Sequence, residues 1–518
     1  MQRAETLEKL RREDAERMCL GNAVSILHWD METYMPPAGV EERSEQLALL
    51  ESIAHERLVA PETGRLLAEL GSTTENPRGD ESLPDLDRDL LRAVRRAYDK
   101  ATKLPGEFVA EEARAQGLSQ AAWAQARRAN DFAAFLPHLE TMIGIARKKA
   151  ELWGFGPGSP RGGLYDGLID SFEPGMSASE IAPLFAVLRE RLSALLREVG
   201  RRGPPDVSFL QGDFPVDKQE AFCRKTLGYL GFDARRGRMD TSAHPFATSL
   251  GADDVRITTR YAADNLLSSV LAVVHEFGHA RYEMGFPKEL RGSSLASCAS
   301  YAIHESQSRL WENVIGRSRP FWNGLFPSLR DAFPDRLRGA TAESFYLAAT
   351  EAKPSLIRVD ADEVSYGLHI IMRFELEQAL ISGDLPPARL PDAWREKTSE
   401  LLGIDVDPSG PRAHADGSLQ DVHWSMGAFG YFPSYALGDL YGLHFFRKIR
   451  RDIPDLAALV ESGNFAPLHD WLRDNVHAWG ARLEPAALLE KVAGEKLGVE
   501  PFLEYIEGKY GAPGGNAF

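Results

Sequence analysis

Apolar residues recur every three or four positions along most of this chain, and that period constrains the fold more than any other feature. It runs through Glu5–Cys19, Glu41–Leu58, Asp85–Lys103, Ser119–Leu152, Ser179–Arg201, Lys218–Leu230 and Leu266–Met284 with few internal breakers, and predicts a helix over each. Strand signal is confined to Asp254–Tyr261, where Val255, Ile257, Thr259 and Tyr261 alternate with polar or charged residues. The expected fold class is therefore mainly α: a large helical body with a small β-sheet.

At 518 residues the chain is long enough for three or four domains at roughly 150 residues each, or for one large body. The Pro, Gly and Ser-rich pieces, Ser72–Pro84, Gly154–Gly163 and Asp407–Ser418, are too short to act as linkers. The first reads as a surface loop and the others as loops bordering a cleft. A single domain over residues 1–518 is expected. The net charge of −16 argues against nucleic-acid binding, which needs clustered Lys and Arg. The apolar run Val270–Val274 falls far short of the roughly 20 residues needed to cross a bilayer. Charges throughout the first residues leave no uninterrupted apolar stretch for a secretory signal, so no membrane partner and a cytoplasmic location are expected. Cys19, Cys223 and Cys298 are too scattered for a disulfide framework and read as small buried hydrophobes.

The segment Val273–Ala280 reads VVHEFGHA. Residues four apart on a helix share a face, so His275 and His279 can offer two imidazoles to one cation. Glu276, about 100° round the helix, can reach an attacking water without taking a coordination position. Asp264 or Asn265 is the expected N-cap and Gly285 the expected end, while Gly278 leaves room for a neighbouring element. A catalytic ion needs a third protein ligand, sought in the helical stretch Tyr301–Gly316. Glu305 is the first choice, Glu312 one heptad later the competitor, and His304 an outer or substrate-contacting residue. The plain alternative is a hydrogen-bonded cluster in a helical core.

The likeness to a known family rests on more than this helix. HWDMETYMPPAG at His28–Gly39, YDGLIDSFEPGM at Tyr165–Met176, HPF at His244–Phe246 and DVRIT at Asp254–Thr258 precede HEFGH at His275–His279. HESQ at His304–Gln307, IRVDAD at Ile357–Asp362, GSLQDVHW at Gly417–Trp424 and GYFPSY at Gly430–Tyr435 follow it. In content and order these blocks resemble the M32 metallocarboxypeptidases, the Taq-type carboxypeptidases. The resemblance implies a helical single body with a deep active-site groove, one divalent ion per chain and a homodimer. By motif position it makes His275, His279 and Glu305 the metal ligands and Glu276 the catalytic base. Zinc is the expected ion, with cobalt or manganese accepted by the same donors.

The substrates implied are peptides with a free C-terminus. Arg358, in the IRVDAD block, is the expected grip on that carboxylate, because its planar fork can make two parallel hydrogen bonds; otherwise it pairs with Asp360 or Asp362. Arg256 and His244 are expected near the closed end of the groove, limiting how far a substrate extends past the cut. His423 and Tyr431 are expected donors to the oxyanion or the terminal carboxylate, with Tyr435 a further candidate. Trp424 and most of the neighbouring aromatics read as packing. The edge of the Asp254–Tyr261 strand is expected to pair with an extended peptide. A metallo-endopeptidase, a peptidyl-dipeptidase, or a helical binding scaffold with a structural metal are the alternatives.

Overall fold

The HEFGH residues lie in mid-helix, on Leu266–Met284, and the elements that matter for the site pack around that helix. The computed structural model describes residues 2–512 and 515. Asn265 caps the helix by accepting from the Ser268 amide at 3.1 Å, and Gly285 ends it, as the sequence predicts. Val270, Val273, Val274, Phe277 and Ala280 have no exposed surface. Each fully buried large apolar side chain contributes about 1.5–3 kcal/mol, so this helix is held rigidly in the core.

Beside it lies a sheet of β1 (Gly237–Thr241), β2 (Ala247–Ser249) and β3 (Val255–Thr259), in the order β1-β3-β2. β1 runs parallel to β3 and β2 antiparallel to it. The strand read from Asp254–Tyr261 is therefore central, and the expectation that its edge receives a peptide is overturned. Both of its edges are taken by neighbouring strands, whose short segments carry no alternation long enough to have been recognised.

The predicted run Ser119–Leu152 is two helices, Gly106–Ala129 and Phe132–Leu152. Asn130 breaks it in the left-handed region at φ 56°, a conformation Asn tolerates, and Asp131 then caps the second helix through the Ala134 amide. Of the cysteines only Cys223 is buried; Cys19 is exposed and Cys298 half-buried.

The main hydrophobic core reaches from Phe108 to Tyr510. A smaller one, built from Leu7, Leu10, Leu66, Leu67, Leu90 and Leu91, is closed by Leu290 and Leu295 from the segment after the HEFGH helix. This second core fastens the N-terminal helices to the body. Among the described residues no helix is long and apolar enough to cross a membrane.

The HESQ helix, Tyr301–Arg309, starts at Ser300, whose hydroxyl oxygen accepts from the Ile303 amide, and continues as a π-helix over Leu310–Gly316. It is sandwiched between the HEFGH helix and the helix Pro433–Asp452. A glycine faces it on each side. A Cβ at Gly278 would lie 2.6 Å from the Gln307 carbonyl oxygen and from Ser308 Cα, and one at Gly438 would lie 2.8 Å from Glu305 Cβ. The close approach foreseen at Gly278 is real.

Candidate active site and metal centre

The HEFGH and HESQ helices bring three donors to one point. His275 Nε2 lies 3.8 Å, and His279 Nε2 3.6 Å, from Glu305 Oε2. Ligand atoms of the three residues all fall within 4.8 Å of one another. Glu276 faces the same space, 5% exposed, with its Oε2 buried and unpartnered among the described residues. Burial pushes its carboxyl up to about 7.

Each side of the cluster is buttressed. His275 Nδ1 meets Glu312 Oε2 at 2.8 Å, so the competitor for third ligand sits on the opposite nitrogen of that ring. Glu305 and Glu312 belong to one continuous helical run, and the π-turn sets where the second lies. Arg317 donates to Glu312 Oε1 at 3.1 Å, and Arg309 Nη1 stands 3.5 Å from its Oε2. Burial opposes ionisation of Glu312, but the His275 bond and these two cations hold it well below the usual carboxylate range. Arg309 also forms a buried pair with Asp439, Nε to Oδ1 at 3.0 Å. His304 stacks on His279 with ring centroids 4.4 Å apart and bonds Glu283 at 2.9 Å, an outer position as expected.

A second cluster stands next to this one. The hydroxyl of Tyr366, whose ring lies 4.0 Å from the Arg309 guanidinium, accepts from Arg358 Nη1 at a long 3.4 Å. Arg358 is 7% exposed and does not pair with Asp360 or Asp362 as the alternative reading had it. Its Nε donates to Asp421 Oδ1 at 2.9 Å, and Gln420 accepts from its backbone amide. Asp362 is instead used as the N-cap of the helix Glu363–Ser382. Nη2 of Arg358 has no hydrogen-bond partner among the described residues, so one side of the fork is open. His423 Nε2 bonds the Tyr435 hydroxyl at 3.2 Å, and its ring lies 5.5 Å from Tyr431. Burial holds His423 neutral, down to about 3, and keeps the Tyr431 phenol protonated. Trp424 is 3% exposed and donates to Glu377 at 2.8 Å, the packing role expected of it.

Among the described residues Arg256 and His244 are not bonded into either cluster. Arg256 is forked with Asp254, both bonds at 3.0 Å, with its guanidinium 4.3 Å from the Trp29 ring. His244 is exposed after β1, its carbonyl accepting from Ser242 Oγ at 2.6 Å. Among the described residues no hydrogen bond or ion pair joins either to the His275–Glu305 cluster. Sequence reasoning missed Tyr366, Glu377 and Arg373, the last bonding Asp421 from 48 residues away.

Comparison with known proteins decides what this geometry belongs to. The model of the carboxypeptidase Taq (M32) metallopeptidases matches residues 9–510. The chain belongs to the M32 carboxypeptidase family. It is 41% identical over 515 residues to thermostable carboxypeptidase 1 of Thermus thermophilus, covering 98% of each chain. It is 37% identical over 492 residues to carboxypeptidase 1 of Bacillus subtilis, covering 94% of each. The crystal structure of the Deinococcus radiodurans M32 carboxypeptidase superposes with a TM-score of 0.92 at 37% identity, over 98% of this chain and 99% of that one. This M32 protein is therefore a metallocarboxypeptidase, mainly α, acting with a divalent metal ion.

The residues present fit such an ion. Bonds of 2.0–2.2 Å in a tetrahedral arrangement place ligand atoms about 3.3–3.6 Å apart. The observed 3.6 and 3.8 Å are close to that and too long for hydrogen bonds, so no direct bond accounts for the convergence.

Proposed function

We propose that this M32 carboxypeptidase releases single amino acids from the C-termini of peptides, with His275, His279 and Glu305 holding one zinc ion and Glu276 moving the proton. Cobalt or manganese suits the same donors. The observation that carries this is the convergence of two imidazoles and one carboxylate beside a buried, unpartnered Glu276 oxygen. When bound, the ion supplies Lewis acidity, polarising the scissile carbonyl and lowering the pKa of water. Glu276 takes a proton from the attacking water and returns it to the departing amine nitrogen as the carbon–nitrogen bond breaks. Glu312 fixes the ring of His275 through Nδ1, leaving Nε2 to face the cluster.

At the other end of the site the open side of the Arg358 fork grips the terminal α-carboxylate. The neutral His423 and the Tyr431 phenol are the donors to the charge that develops on the reacting carbonyl. Arg256 and His244 bound the substrate on its far side, limiting how far it extends past the cut. The chain works as one catalytic domain over residues 1–518, as a cytoplasmic homodimer.

The test compares a free-ended peptide with its C-terminally amidated twin, with products identified by mass spectrometry. Single residues are expected from the first and almost none from the second. A chelator is expected to abolish release and added zinc to restore it. Dipeptide products, or equal cleavage of the amide, would instead identify a peptidyl-dipeptidase or an endopeptidase.

A further inference from the structure

Asp421 stands between two guanidinium groups. Arg358 donates from Nε to its Oδ1 at 2.9 Å, and Arg373 donates from Nε to its Oδ2 at 2.7 Å. Arg373 has no exposed surface. Its Nη1 donates to the His369 carbonyl at 2.9 Å, and its guanidinium lies 4.7 Å from the Trp394 ring. Burial lowers Arg373 to about 10, which still leaves it a cation at neutral pH.

The surrounding charges do not balance. His369 and His423 are neutral, each lowered by burial to about 3. Glu377, one turn from Arg373, is occupied by Tyr165, Trp424 and the Gly430 amide, and burial pushes it up to about 7. Two cations thus share the one carboxylate bonded to both, with Glu377 only partly ionised at neutral pH. A purely structural ion pair needs one partner of each sign, because an uncompensated buried charge is costly. The surplus positive charge sits behind Arg358, whose outer nitrogens make, among the described residues, only the long hydrogen bond to Tyr366.

We infer that Arg373 is a positioning residue for recognition of the substrate's terminal carboxylate: by taking half of Asp421 it lets that aspartate orient Arg358 without cancelling its charge. This rests on the reading of Arg358 as the carboxylate grip. Without Arg373, Arg358 and Asp421 form a neutral pair and the corner loses its pull on an anion.

The test uses the metal-loaded full chain and two readouts. One is KM and kcat on a free-ended peptide; the other is equilibrium binding of an N-acyl amino acid against its amide. Arg373→Met is expected to raise KM about tenfold with kcat nearly unchanged, and to shrink the preference for acid over amide by the same factor, ~1.4 kcal/mol. Arg373→Gln, which drops the charge but keeps a donor for Asp421, is expected to behave alike and carries the test if the methionine variant does not fold. Arg373→Lys should restore most of the preference. Arg358→Met is the control for the underlying reading. If it leaves the preference intact, Arg358 is not the grip. If it destroys the preference while folded Arg373→Gln retains it, the role given to Arg373 is wrong.

Discussion

His275, His279 and Glu305 hang on regular helices, whereas Arg358, Asp421, His423 and Tyr431 stand on a short 3₁₀ turn and an irregular stretch before Pro433. Helical spacing alone puts the two imidazoles on one face. The other end has no such scaffold and is held by buried charge instead: Asp421 is pinned by two arginines, and Glu377 gathers donors from Tyr165, Trp424 and Gly430. The contrast implies a division of labour. Changes at the helical end should alter metal binding or proton transfer, and changes at Arg358 or Asp421 should alter how the chain end is held.

The largest effect that would test this division is at Glu276. Glu276→Gln is expected to lower kcat by about 10²–10⁴ with metal content and substrate binding unchanged, read by steady-state kinetics and metal analysis. Full turnover in this variant would remove Glu276 from the chemistry. A smaller effect is expected at Glu312. Glu312→Gln keeps an acceptor for His275 but loses the charge, and should weaken metal affinity about 10–100-fold in a chelator competition. Once saturated with metal, the variant should show an ordinary KM; a raised KM would mean that the two ends are not separable.

The smallest concerns Glu173, which ties the ends together. Its Oε1 accepts from the Ala302 amide at 2.6 Å, at the start of the HESQ helix, and from Ser434 Oγ at 2.8 Å, next to Tyr435. Burial raises its carboxyl from 4.5 to about 7. Because the folded-state value is the higher one, the native state favours the protonated form, and this contribution is lost as pH rises through about 7. Glu173→Gln mimics that form. The Tm of the native protein should fall relative to the variant between about pH 5 and 8, by ~1–3 kcal/mol in stability. Parallel Tm curves would show that Glu173 does not titrate in this range.

The same contrast explains what could be read in advance. The HEFGH helix, its Asn265 cap and its Gly285 end follow from local rules of period and capping. Glu305 and Glu312 were both visible as candidates, but their choice depends on a π-turn, and nothing in LWENVIG distinguishes π from α. Asp421 was visible within GSLQDVHW, yet its pairing with Arg358 and Arg373 spans 63 and 48 residues and is a property of the folded chain. The small sheet is legible but the free edge expected of Asp254–Tyr261 is not there, for a related reason: a strand's place in its sheet is set by pairing partners, not by its own pattern.

Glycines on two helices clasp the HESQ helix like the jaws of a vice, with Gly278 against Gln307 and Ser308 and Gly438 against Glu305 itself. Metal–ligand distances tolerate only about 0.2 Å of error. The calibration of the metal centre therefore lies partly in two methyl groups that the chain leaves out, and an alanine in either jaw would detune it without replacing a single ligand.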